Sequence, residues 1–238
     1  MIKLQGSSNE NFVVLGLGRS GMTSARALDA SGANVICWDD DPEKRSLASS
    51  QGLRVTGSVS DFDWESIDRL IISPGVPHHF PSPHPIVSAA VSAGVLIDND
   101  VGLFFQSIAT ETWDKFSVQP RIVAVTGSNG KSTTASLLHH IFLKLGYKSQ
   151  LAGNIGRSVL DIDPPENNEL LVLELSSYQT EVARILSPDL AIFTNFSADH
   201  LERHGGIGGY LAAKRRLFTE GCPDYSIIGV DELAGLNL

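Results

Sequence analysis

Ile122-Val123-Ala124-Val125-Thr126-Gly127-Ser128-Asn129-Gly130-Lys131-Ser132-Thr133 is the stretch on which the reading of the chain turns. Its first five residues form an apolar, largely β-branched run, which reads as a buried strand. A glycine-rich turn follows, then a helix expected to run to about Leu145 and to end at Gly146. Backbone amides in such a turn can cradle phosphates, and Lys131 can neutralise β/γ-phosphate charge. A Ser or Thr hydroxyl can reach Mg²⁺. The spacing is not the common Walker one, because Val125 stands where the first glycine would be. The bland alternative is a glycine turn with a surface lysine. The strand–loop–helix setting favours phosphate binding.

A second unit of this kind lies upstream. Phe12-Val13-Val14-Leu15 leads into Gly16-Leu17-Gly18-Arg19-Ser20-Gly21, then a helix through Ala30 closed by Gly32. The three glycines allow a tight turn and close approach of a pyrophosphate to the helix N-terminus. A second strand, Asn34 to Trp38, ends at Asp39, about twenty residues on, where a dinucleotide-binding protein keeps its ribose-binding acid. Taken alone, this half fits an NAD(P)-dependent oxidoreductase, since the motif does not specify its nucleotide. Further strands are expected at Arg69–Ile72, Val95–Ile97, Leu170–Leu175, Leu190–Thr194 and Tyr225–Ile228. Helices are expected at Pro85–Ala93, Thr180–Leu186 and Gly208–Phe218. Alternating strands and helices predict an α/β fold with parallel sheets. The aperiodic stretch 108–120 reads as a linker between a domain at 1–107 and another at 121–238.

Composition narrows the function classes. At 238 residues and 42% apolar content, two cores can be buried. The net charge of -9, without a Lys/Arg stripe, argues against nucleic-acid binding. Cys37 and Cys222 are isolated and lack metal spacing, as expected in a reducing compartment. No signal-type segment or membrane-length apolar run occurs, so a soluble, cytoplasmic monomer is expected.

Five further observations carry a family resemblance. Thr126–Thr133 resembles the TGxNGK[ST][ST] loop of the Mur ligases of bacterial cell-wall synthesis. Gly153-Asn154-Ile155-Gly156 resembles the GNIG turn of that family, and Glu174-Leu175-Ser176-Ser177-Tyr178-Gln179 its acid-bearing strand end. Thr194-Asn195-Phe196-Ser197-Ala198-Asp199-His200-Leu201 and Tyr210-Leu211-Ala212-Ala213-Lys214 follow in the family's order. Within the family, ELSS[FY]Q with GSNGKS resembles the branch that adds D-glutamate to UDP-N-acetylmuramoyl-L-alanine.

The resemblance implies a Rossmann-like N-terminal domain that binds UDP-substrate, followed by an ATP-binding central domain. Around the UDP it places Gly18, Arg19, Ser20, Asp39, Ser73, Pro74 and Gly75, with Asn154 and Gln179 toward the muramoyl part or the phosphates. Asp41 stands where the family can be basic and is not expected to touch the diphosphate. ATP falls to Gly127, Ser128, Asn129, Gly130, Lys131, Ser132 and Thr133. Mg²⁺ falls to Ser132, Glu174, His200 and Lys214, the last as a carbamate. Catalysis falls to Lys131, Glu174, His200 and Lys214, through an acyl-phosphate intermediate. Asn195 is expected to orient the metal shell, and the other histidines to be surface or packing residues. The family's third domain, which binds the incoming amino acid, is not expected in the short tail Gly229–Leu238, so this chain alone is expected to be inactive. Other Mur-type amide ligases and a non-catalytic nucleotide-binding protein remain the alternatives.

Overall fold

Runs such as Phe12-Val13-Val14 are fully buried, as strands covered by helices on both faces must be. In the computed structural model, which describes residues 1–111 and 115–230, such runs build two parallel sheets. The first sheet takes β1 (Asn11–Leu15), β2 (Asn34–Trp38), β3 (Arg69–Ile72) and β4 (Leu96–Asp98) in the order β2-β1-β3-β4. Its helices are α1 (Arg19–Ala30), α2 (Pro42–Ser50), α3 (Pro85–Ser92) and α4 (Asp100–Glu111). The second sheet takes β5 (Arg121–Thr126), β6 (Ser149–Gly153), β7 (Leu170–Glu174), β8 (Leu190–Phe193) and β9 (Tyr225–Ile228) in the order β6-β7-β5-β8-β9. Its helices are α5 (Lys131–Lys144), α6 (Ser177–Val182) and α7 (Ile207–Thr219).

In each sheet the chain leaves a central strand, β1 or β5, and returns on both sides of it. The crevice at the carboxyl ends of those strands is where ligands bind in such sheets. Both glycine loops lie there. One apolar cluster runs from Phe12, Val14 and Leu28 through Phe104 and Phe105 to Leu160, Leu171 and Leu173, and so joins the two units. Cys37 belongs to it, and burial pushes its thiol up to about 12. Among the described residues, no helix is long and apolar enough to cross a membrane.

Four elements differ from the expectation. Helix α4 continues through residues 108–111, inside the expected linker; residues 112–114 of that linker lie outside the described residues, as do 231–238 of the tail. Helix α6 begins earlier than Thr180, because Ser176 and Gln179 form a capping box that starts it at Ser177. It stops at Val182, where Ala183 turns extended. Strand β6 and helix α2 were not anticipated.

Candidate active site

Strand β5 delivers the second glycine loop to the middle of its sheet. At Gly127 φ is 135°, and a Cβ there would sit 2.1 Å from Thr194 Oγ1, so the position excludes any side chain. Val125, which replaces the Walker glycine, is instead buried within the strand. Neighbouring side chains hold the loop in shape. Asn195 accepts the Asn129 backbone N–H on Oδ1 (2.9 Å) and donates from Nδ2 to Asn129 O (3.1 Å). Thr194 Oγ1 donates to Asn129 O (2.6 Å), and Ser128 Oγ donates to Ser197 O (3.0 Å). Asn195 therefore braces the loop backbone. Lys131 Nζ donates to Ser128 O (2.7 Å) and stands at the loop mouth, while Thr133 is exposed on the first turn of α5.

Pairing of β5, β7 and β6 sets Glu174 beside Val125 on one side and Gly153 on the other. The Glu174 carboxylate is buried and receives two donors: Ser132 Oγ at 2.8 Å and Asn154 Nδ2 at 3.2 Å. Ser132 and Glu174 thus offer oxygens at one point, a donor chemistry that suits Mg²⁺. Among the described residues, no group of three or more His, Cys, Asp or Glu side chains could hold a metal ion. Magnesium does not demand such a cage, since it keeps water and substrate phosphate oxygens.

Helix α7 brings Lys214 to the other side of the loop, where Nζ donates to Gly127 O at 2.6 Å. Burial, and next the neighbouring Lys131 cation, push its amine down to about 7. His200 follows the loop after β8 with φ 50°, and its Nε2 lies 3.4 Å from Asp199 Oδ2. Lys131, Asn154, Ser176, Ser177, Tyr178, Asp199, His200, Tyr210 and Lys214 enclose a cavity of about 150 Å³. His204, expected to be a surface or packing residue, is buried with its ring stacked on Tyr178 at 5.2 Å.

The first glycine loop opens a larger cavity of about 450 Å³, lined by Gly18, Arg19, Ser20, Asp39, Ser73, Pro74, Gly75 and Asn154 among others. Gly21 packs so close that a Cβ would fall 1.7 Å from Gly16 O, which explains the third glycine. Asp39 is largely committed to the fold: its Oδ2 accepts from Leu17 N (2.6 Å) and its Oδ1 from Asp41 N (2.9 Å). The more exposed acceptor on this wall is Asp40, which sequence reasoning missed. His84 approaches its Oδ2 at 2.9 Å and Trp38 Nε1 donates to its Oδ1 at 3.1 Å. Since Nδ1 of His84 accepts from Ile86 N, its Nε2 carries the proton toward Asp40. That hydrogen bond from His84 holds the Asp40 carboxyl below the ordinary range. Lys44 and His84 also line this cavity, and neither stood out in the sequence. Asp41 caps α2 by accepting from Glu43 N, away from the cavity wall. Gln179 lies outside both cavities. Its Oε1 accepts from Ser176 N (3.0 Å), and its backbone carbonyl accepts from Asn99 Nδ2 (2.8 Å).

Two parallel α/β units, each with a glycine loop at its carboxyl edge and a cavity before it, define a two-domain protein of nucleotide-binding type. Residues 10–98 match the family model for the Mur ligase MurD-like N-terminal domain, and residues 125–237 match that for the Mur ligase middle domain. Through these two domains the chain belongs to the Mur ligase family. It is 57% identical over all 238 residues to the UDP-N-acetylmuramoylalanine--D-glutamate ligase of Cereibacter sphaeroides, and covers 51% of that protein. The protein of the same name from Roseobacter denitrificans is 58% identical over the same 238 residues, again with 51% of it covered. That from Jannaschia sp. is 55% identical over 233 residues, which are 98% of this chain and 50% of the relative. The chain thus spans about half the length of the curated relatives it matches.

Proposed function

We propose that this chain carries the UDP-substrate and ATP sites of a peptidoglycan-synthesis ligase, one that adds D-glutamate to UDP-N-acetylmuramoyl-L-alanine with ATP and Mg²⁺. The observation that carries this reading is Asn154, which lines both cavities and hydrogen-bonds Glu174. A ligand whose nucleotide fills the larger cavity can reach past Asn154 to the phosphate loop. The name of these relatives supplies the two substrates.

A carboxylate is a poor electrophile, and phosphorylation of the L-alanine carboxylate supplies a leaving group for attack by the D-glutamate amine. Bringing that carboxylate to a triphosphate sets two anions together, so cationic and metal groups must lower the repulsion. Bound Mg²⁺ supplies that neutralisation. Ser132 and Glu174 are the residues that would hold it. Lys131, whose Nζ rests on Ser128 O of the glycine loop, is the cation this reading assigns to the β/γ-phosphates. Lys214, with its amine near 7, is substantially neutral at physiological pH and can add CO₂, releasing a proton and becoming a carbamate. This would turn a buried amine into an oxygen ligand for a second ion. His200 lines the same cavity and would be a further ligand there.

Lys131→Ala tests the assignment of two sites. Titrated with a non-hydrolysable ATP analogue and Mg²⁺, the variant should lose measurable binding. Its affinity for UDP-N-acetylmuramoyl-L-alanine should stay within about threefold of the unaltered chain, about 0.7 kcal/mol. Joint loss of both ligands in a folded variant contradicts separate sites.

A further inference from the structure

Two arginines cross between the domains in opposite directions. Arg19, at the start of α1, donates from Nη1 to Gly156 O (2.9 Å) and from Nη2 to Asn154 O (2.9 Å), in the loop after β6. Arg203, in the turn just after His200, donates from Nη1 to Gly75 O (3.1 Å) and from Nη2 to Val76 O (3.1 Å), in the loop after β3. Each guanidinium spans two carbonyls, which a lysine ammonium cannot reproduce with the same geometry. The gripped segments are the cavity walls themselves: Gly75 and Val76 belong to the larger cavity, and Asn154 to both. Ser73 ties the same loop back to the first glycine loop, donating from Oγ to Gly16 O at 2.6 Å.

Arg203 lines neither cavity. Its guanidinium instead lies 4.9 Å over the Tyr178 ring, and Tyr178 walls the smaller cavity with Lys131, His200 and Lys214. Among the described residues no hydrogen-bond partner meets its buried Nε, while both terminal nitrogens are bonded to the loop after β3. We infer that Arg203, with Arg19 as its counterpart, is a positioning residue that holds the two cavities in register. A ligand anchored by its nucleotide in one cavity then presents its far end beside Lys131 and Lys214 in the other. This rests on the proposed reading that one substrate spans both cavities. Register matters there because a displacement of about 1 Å can cost about a hundredfold in rate.

Arg19 faces the nucleotide cavity, so its removal would mix two effects, whereas Arg203 separates them. The test titrates Arg203→Ala and Arg203→Lys, in the full chain, with UDP alone and with UDP-N-acetylmuramoyl-L-alanine. UDP should bind both variants within about threefold of the unaltered chain, while the longer ligand weakens about tenfold or more. Lysine should not rescue, since the fork is what matters. Equal loss of both ligands in folded variants, loss of neither, or rescue by lysine overturns the inference. In parallel, spin labels at Glu43→Cys and Lys144→Cys in a Cys222→Ser background report the distance between the domains. Arg203→Ala should broaden that distribution, and an unchanged width overturns the clamp. If the unaltered chain ignores the longer ligand, the substrate reading fails and the distance measurement decides the clamp alone.

Discussion

Lys214 is 1% exposed, and its amine is pushed down to about 7 from 10.5, chiefly by burial. Between those two pH values the unfolded chain holds a proton that the folded chain lacks. Stability from this group therefore rises with pH from about 7 toward about 10.5. Lys214→Met keeps the bulk and removes the titration. Thermal unfolding followed across this range should show the unaltered protein gaining on the variant as pH rises, and parallel curves would contradict a depressed amine. In the sequence Lys214 is one member of a basic run with Arg215 and Arg216, and family resemblance alone singled it out. Burial separates them: Arg216 pairs with Glu220 at 2.6 Å, while Lys214 turns inward. Asp39 teaches the converse. It stands where the motif places a ribose-binding acid, yet its carboxylate is bound by two backbone amides, and the more exposed acid on that wall is Asp40. Which of adjacent acids faces a cavity depends on the turn they close, and local composition does not record it.

At the scale of elements, glycine and lysine punctuation made the loops readable. The chain needs glycine where a backbone approaches another closely, and such positions recur at motif spacing. Gly127→Ala tests this. With φ at 135° and a Cβ placed 2.1 Å from Thr194 Oγ1, the substitution should cost about 1–3 kcal/mol of stability. It should also abolish binding of the ATP analogue, because Thr194 braces Asn129 within the same loop. Unchanged melting and unchanged nucleotide affinity would remove this glycine from the argument. Elements without such punctuation were not legible. Strand β6, Ser149-Gln150-Leu151-Ala152-Gly153, has little apolar alternation, and its extended form comes from pairing with β7. Helix α4 buries Val101, Leu103, Phe104 and Phe105 on more than one face, which blurs the helical period that would announce it. Helix α6 was placed too late because its start is set by the Ser176–Gln179 cap and not by its apolar residues.

At the scale of the whole molecule, the central claim is that two glycine loops serve one reaction. In the proposed reading the larger cavity would take the nucleotide of a substrate and the smaller its reacting end; Asn154 lines both. Domain order and both loops could be read from the sequence. That the cavities share a wall could not, because Asn154 is far in sequence from Gly18, Arg19 and Gly75 and reaches them only when the domains pack through the Phe104–Leu160 cluster. The rival reading, a dinucleotide in the first loop, predicts a different ligand for the same cavity. Calorimetric titration of the chain with UDP-N-acetylmuramoyl-L-alanine, and separately with NAD⁺, decides between them. The present account predicts saturable binding of the UDP compound and none of NAD⁺. Binding of NAD⁺ with no response to the UDP compound would contradict it.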